Sequence, residues 1–256
     1  MSLSGPFRRL LIAFQFLTVL RVRVGGEVTP SDLRGSTYFY PFVGLALGGA
    51  LALMCEALAS LLPWQLLAAL VVVGLAALTG GLHLDGLADT CDGFYAGRNR
   101  EHVLHIMRDP RIGSMGVIGL VCVLGLKYIA LLSVPGSRAL WAVVAAPIVG
   151  RCAMVAACAL APYARQHGTG GAFVGQLGRG QPLVAVVMAA VGCAMLGWPH
   201  AVIAFAGVGI WLGLFVRYCR RRIGGLTGDT LGALNETTEM LVWLARSCQW
   251  PMAGHQ

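Results

Sequence analysis

Six stretches of this chain are long and apolar enough to cross a lipid bilayer: residues 37–59, 64–84, 114–133, 139–161, 182–198 and 200–217. Inside hydrocarbon every backbone N–H and C=O must find its partner within the protein, so a run of ~20 apolar residues becomes a helix. A membrane β-barrel would instead show period-two alternation, and no segment of this chain has it. The sequence therefore predicts an all-α fold, a polytopic integral membrane helical bundle with six transmembrane helices and one or two marginal or interfacial helices. Residues 1–256 are expected to form a single transmembrane domain, with no internal repeat and no soluble module. The marginal helices are 7–20, which is short, and 229–247, which has helical patterning but carries Asp229, Glu236 and Glu239.

Composition agrees. Hydrophobic residues make up 57% of the chain and charged residues only 12%. An ordinary soluble domain carries about twice that charge fraction. Basic residues number 19 against 11 acids, giving a net charge of +8, and Lys127 is the one lysine among them. Such basicity can signal nucleic-acid binding. Here the arginines sit between apolar runs, which fits the positive-inside rule, and no nucleic-acid partner is expected. With a cytoplasmic N-terminus and alternating spans, 15 arginines fall on the cytoplasmic side and only Arg138 in an outside loop. Lys127 and Arg151 fall within spans, and Arg246 lies in the C-terminal helix. Arg8 and Arg9 precede an apolar stretch broken by Gln15, Arg21 and Arg23, which does not read as a cleavable signal. The eight cysteines form no C-x-x-C pair and read as small buried hydrophobes.

Carboxylates are scarce, and seven of the 11 gather in three short segments. The first, LTGGLHLDGLADTCDGF, holds Asp85, Asp89 and Asp92; the second, RDPRIG, holds Asp109; the third, GGLTGDTLGALNETTE, holds Asp229, Glu236 and Glu239. An acid at the centre of a membrane helix costs ~2.5–3.5 kcal/mol on insertion scales, so such groups mark cavities, partners and function. Asp85, Asp89 and Asp92 stand at i, i+4 and i+7, one stripe of a helix ~10 Å long. Hard oxygen donors without histidine or thiol partners suit Mg²⁺, with Mn²⁺ as the alternative. Asp229 and Glu236 also share a face, and the two acidic helices are expected to confront each other across one or two metal ions. A solvated helix cap and a cation pathway are the alternatives. His83 reads either as a ligand or base, or as a satisfied interfacial histidine, while His102 and His105 read as solvated loop residues.

Glycine-rich turns at 79–81, 168–171 and 224–228 flank these clusters, and their N–H groups suit phosphate oxygens. No Walker loop exists, because the lone lysine lies elsewhere. Arg108 and Arg111 bracket Asp109 and Pro110; such arginines either fork onto phosphate or staple a loop.

The segments LTGGLHLDGLADTCDGF, MRDPRIGSMG, GRCAMVAACALAPYAR and GGLTGDTLGALNETTEM together resemble the signature blocks of the cobalamin synthase (adenosylcobinamide-GDP ribazoletransferase) family, in order over residues 7–245. Cys91 and Pro110 depart from the family pattern without removing a ligand. The resemblance implies a Mg²⁺-dependent phosphotransferase of the cytoplasmic (inner) membrane, active on its cytoplasmic side. It would join adenosylcobinamide-GDP, a corrinoid nucleotide, to α-ribazole or its 5′-phosphate. GMP would be released in this late step of cobalamin biosynthesis. On this reading Asp85, Asp89, Asp92, Asp229 and Glu236 bind the metal. Asp89 or His83 takes the hydroxyl proton, Asp89 being preferred. Arg108, Arg111 and Arg165 hold substrate phosphates. The sequence permits a homo-oligomer without requiring one. A CDP-alcohol phosphotransferase is the nearest rival, but Asp85-Gly86-Leu87-Ala88 is followed by Asp89 and that family's downstream acidic pattern is missing. A cation-coupled transporter would be expected to place charges in mid-span within two halves of similar design, and no two such halves are evident.

Overall fold

A computed structural model describes residues 5–134 and 136–249. Among these residues the chain is helical, and its only β pairing is an isolated bridge between Tyr163 and Leu226. Helix α1 spans Pro6–Leu17, α2 Pro30–Ser36 and α3 Tyr40–Leu58. Next come α4 (Trp64–Leu78), α5 (Leu82–Ala96) and α6 (Arg100–Ile106). The chain continues with α7 (Ser114–Leu132), α8 (Gly136–Leu160), α9 (Gly180–Ala194), α10 (His200–Ile223) and α11 (Gly228–Ser247).

Among the described residues four helical segments are long and apolar enough to cross a membrane: Pro30–Leu58, Ser114–Leu132, Arg138–Leu160 and His200–Ile223. The other two expected spans are shorter. The run at 64–84 breaks after Leu78, and α5 leaves α4 at 88°, so the pair together makes at most a fifth, bent span. Gly80 and Gly81, at φ 62° and 71°, make this turn; only glycine adopts left-handed backbone there without a steric penalty. The apolar helix in the 182–198 region covers only Gly180–Ala194.

Local chemistry sets the helix ends. Thr29 caps α2 reciprocally with Asp32, and Thr227 caps α11 reciprocally with Thr230. Asn99 accepts from the His102 N–H at the start of α6, and Gly224 at φ 81° stops α10.

Helix α8 is the axis of the bundle. Its spanning window is 83% buried, against 28% for the windows of α7 and α10, whose outer sides carry exposed Val121 and Ile210. Around α8 pack α3, α9 and α11. The most polar long helix, α11, is not peripheral: Thr230 to Glu236 are all buried, and it packs on α5, α7, α8 and α10. Residues 7–20 yield only the short α1, whose Ile12, Ala13 and Leu17 face the core.

Loop contacts gather the polar segments at one end of the bundle. The Val19 N–H donates to the Leu78 carbonyl (2.9 Å), Gly175 N–H to Cys158 (2.7 Å), and Ala164 N–H to Leu226 (2.8 Å). At the other end the Trp64 indole donates to the Leu131 carbonyl (3.1 Å).

The α3–α8 contact depends on small residues. A Cβ at Gly48 would lie 2.7 Å from Val144 Cα and 2.8 Å from the Val143 carbonyl, whereas one at neighbouring Gly49 would meet nothing within 4 Å. Close backbone approach of this kind drives helix packing in membranes. Gly48→Leu is expected to destabilise the protein by about 1–3 kcal/mol or more, read as a lowered unfolding midpoint in detergent. Gly49→Leu should leave that midpoint unchanged; equal behaviour of the two variants would refute the packing account.

Candidate active site

The acidic stripe lies on α5, the helix that the i, i+4, i+7 spacing predicts. Gly86 and Gly232 let α5 and α11 touch. A Cβ on Gly86 would stand 2.7 Å from the Asp229 carbonyl oxygen, and one on Gly232 would stand 3.0 Å from that of His83. The first turn of α11 therefore lies against the middle of α5. Asp85 is exposed and Asp89 and Asp229 are half-buried, and all three are near enough for their charges to act on one another. Among the described residues no three His, Cys, Asp or Glu side chains converge as a ready-made metal cage.

Arg165 closes this group. Its Nη2 donates to Asp229 Oδ2 at 2.5 Å and to the Met107 carbonyl at 3.3 Å. The backbone pairing of 162–164 with Leu226 holds it there, because it ties the segment after α8 to the one before α11. On its far side Arg165 lines an open cleft of about 410 Å³ with Arg100, His105, Arg108 and His167, in which Glu101 is the only acid. Arg100 is steadied by donating to the Ala164 carbonyl at 3.0 Å. A basic cleft thus meets an acidic patch, joined by the Arg165–Asp229 pair.

Asp92 faces elsewhere. Its two oxygens accept the N–H groups of Gly113 (2.7 Å) and Gly116 (2.8 Å). The carboxylate thereby sits at the positive N-terminus of α7. That contact anchors the loop carrying Arg108, Asp109 and Arg111. Arg111 is exposed and forks onto Asp109 at 2.7 and 2.9 Å, and these hydrogen bonds hold the Asp109 carboxyl down at about 2. Arg108 lines the cleft, while Arg111 is occupied by its own loop.

Asp229 and Glu236 share a side of α11, but Glu236 does not join Asp229 opposite the aspartates of α5, and this corrects the sequence reading. Glu236 lies two turns (~10 Å) further along α11, where Lys127 of α7 takes it at 2.5 Å and Glu239 at 2.7 Å. Arg151 of α8 pairs with the other oxygen of Glu239, which also accepts from Asn235 at 3.1 Å. His83 points toward this interior too. It is 1% exposed, neither ring nitrogen has a hydrogen-bond partner, and it does not line the basic cleft. The sequence reading missed this four-charge network, although Lys127 and Arg151 inside apolar runs were its signal. It also missed Arg100, His105 and His167 as lining of the cleft.

An α-helical membrane bundle with carboxylates and arginines meeting at one end is suited to phosphorylated substrates. The chain belongs to the cobalamin-5-phosphate synthase family, whose model matches residues 9–247. Among its relatives is an adenosylcobinamide-GDP ribazoletransferase of Stutzerimonas stutzeri (strain A1501), 42% identical over 94% of this chain and 98% of that protein. The protein of the same name from Pseudomonas syringae pv. syringae (strain B728a) is 42% identical over 91% and 96%. That from Clostridium botulinum (strain Okra / Type B1) is 37% identical over 90% and 93%. No solved structure matches the chain.

Removing one member of a buried, hydrogen-bonded charge network leaves a carboxylate uncompensated, at about 3–5 kcal/mol. Lys127→Met is therefore expected to destabilise the protein by that amount, measured by denaturant unfolding in micelles. Adding Glu236→Gln to Lys127→Met should restore part of the loss. A double variant as unstable as the single one would show that Lys127 acts by packing alone.

Proposed function

We propose that this protein is an adenosylcobinamide-GDP ribazoletransferase. It transfers the adenosylcobinamide phosphoryl group of adenosylcobinamide-GDP to α-ribazole or α-ribazole 5′-phosphate, with release of GMP, in cobalamin biosynthesis. Its family and its relatives' shared name support the reaction. The juncture of acidic patch and basic cleft at Arg165–Asp229 supports where it takes place.

Mg²⁺ fits the donor set. It is commonly bound by one or two carboxylates together with substrate phosphates rather than by an all-protein cage, and Asp85, Asp89 and Asp229 are hard oxygen donors at the open end. When bound, Mg²⁺ would neutralise charge on the pyrophosphate oxygens. In our reading Asp92 supports the set from behind by fixing the α7 loop, and Glu236 and His83 act in the interior.

Arg165, Arg108 and Arg100 grip the pyrophosphate, because guanidinium groups fork onto phosphate oxygens with defined geometry. A ribazole hydroxyl oxygen attacks the phosphorus joined to the cobinamide side, and the P–O bond to GMP breaks. Asp89, half-buried among like charges, takes the hydroxyl proton. The arginines stabilise the charge that spreads over the phosphoryl oxygens.

The membrane arrangement completes the proposal. The chain sits in the cytoplasmic (inner) membrane and α3, α4, α7, α8, α9 and α10 make six crossings, with α11 running back through the centre. Arginine-rich loops and active site then face the cytoplasm, in accord with the positive-inside rule.

The experiment is GMP release by purified protein in lipid, with and without Mg²⁺ and with each ribazole substrate. Release should require both metal and α-ribazole or its phosphate. Asp85→Asn should abolish turnover in a protein that still inserts and folds, and Arg165→Ala should lower kcat/KM by about 10²–10³. Full activity of Asp85→Asn would remove Asp85 from the metal set. Ribazole-independent GMP release would overturn the transferase reading.

A further inference from the structure

The exceptions to the chain's charge asymmetry meet in one place. Arg138 opens α8 and Arg246 lies in the last turn of α11. Both stand at the end of the bundle remote from Asp229, because the 20 residues of α11 hold its two ends roughly 30 Å apart. With Trp141, Trp198 and His200 they line a cleft of about 490 Å³. The two guanidinium groups are close enough for their charges to oppose each other. Among the described residues neither forms an ion pair. Arg246 Nη1 instead lies 3.2 Å from His200 Nε2, which also stands 3.1 Å from the Cys248 carbonyl oxygen, so that among the described residues no carboxylate offsets either arginine.

The remaining features suit a bilayer surface. Trp141 is 57% and Trp198 82% exposed, and indole rings favour the headgroup level, where one end is apolar and the other wet. Arginine at this end runs against the bias of the rest of the chain, and two arginines side by side repel unless an anion lies between them. We infer that this cleft binds the headgroup phosphate of one anionic phospholipid in the leaflet opposite the active site, with Arg138 and Arg246 on the phosphate and Trp141 and Trp198 beside the glycerol backbone.

Native mass spectrometry of the detergent-purified protein, titrated separately with phosphatidylglycerol and phosphatidylcholine, tests this. The wild-type protein should retain one phosphatidylglycerol under conditions that strip phosphatidylcholine. Arg138→Gln with Arg246→Gln should weaken retention about thirtyfold, from the attraction of each arginine to anionic lipid. Arg138→Lys with Arg246→Lys should recover most of it, because Lys keeps the charge. Both pairs should release GMP at the wild-type rate in phosphatidylglycerol vesicles, which reports intact folding. If the glutamine pair fails to fold, the comparison of the two lipids on wild-type and lysine-pair protein carries the test. Equal retention of the two lipids, undiminished binding by a folded glutamine pair, or displacement of the lipid by equimolar inorganic phosphate would each overturn the proposal.

Discussion

A polar helix can occupy the centre of an apolar bundle only if its charges cancel locally, and α11 depends on Lys127 and Arg151 for that. Two cations from α7 and α8 meet Glu236 and Glu239 in a cluster with no net charge. The effective penalty of burying a lone ion is several kcal/mol. The pairs are therefore less a gain in stability than a condition for this arrangement. The same contacts fix the rotation of α11. With Glu236 and Glu239 turned to Lys127 and Arg151, the first turn of the helix presents Asp229 to α5, where Gly86 gives it room.

Five of the seven carboxylates in the three short segments are thus handled in two opposite ways. In the interior each acid has a cation or amide donor. At the open end Asp85, Asp89 and Asp229 crowd together with Arg165 as the close cation. Uncompensated like charge at a membrane surface is costly to keep. It is consistent with a site completed by substrate and metal, while the interior network is complete without them. Asp92 and Asp109 belong to neither group, since one seats a helix terminus and the other occupies Arg111.

Much of this could be read from the chain. Long apolar runs forecast α3, α7 and α8 nearly to their ends and α10 except for its last six residues, and the i, i+4, i+7 spacing correctly made the first acidic segment a helix. Periodicity tells which residues share a face but not what the face meets. Asp229 and Glu236 do share a side of α11, yet the partner of Glu236 is 109 residues away in sequence, and that pairing arises only when α7 and α11 pack. His83 failed for the same reason, because about half a turn of α5 separates its buried position from the exposed Asp85. Hydropathy also could not see the break at Gly80 and Gly81, where two small residues continue an apolar average while turning the chain through 88°.

That turn explains why the proposed site lies where it does. Had α4 continued straight, the stripe of aspartates would have left the bundle on a free helix. The bend instead lays α5 against α11 and α7, so that three contacts along one helix fix the parts of the site. Asp85 and Asp89 meet Asp229 through the Gly86 crossing, and Asp92 holds the α7 terminus and with it the Arg108 loop. Arg165, reaching both Asp229 and the Met107 carbonyl at the end of α6, ties the last edge. A pyrophosphate gripped by these arginines would therefore be held against carboxylates whose positions are set by the same helix. Its phosphorus and the attacking hydroxyl need alignment to within a few tenths of an ångström for in-line transfer, and helix-borne groups supply such rigidity better than loops do.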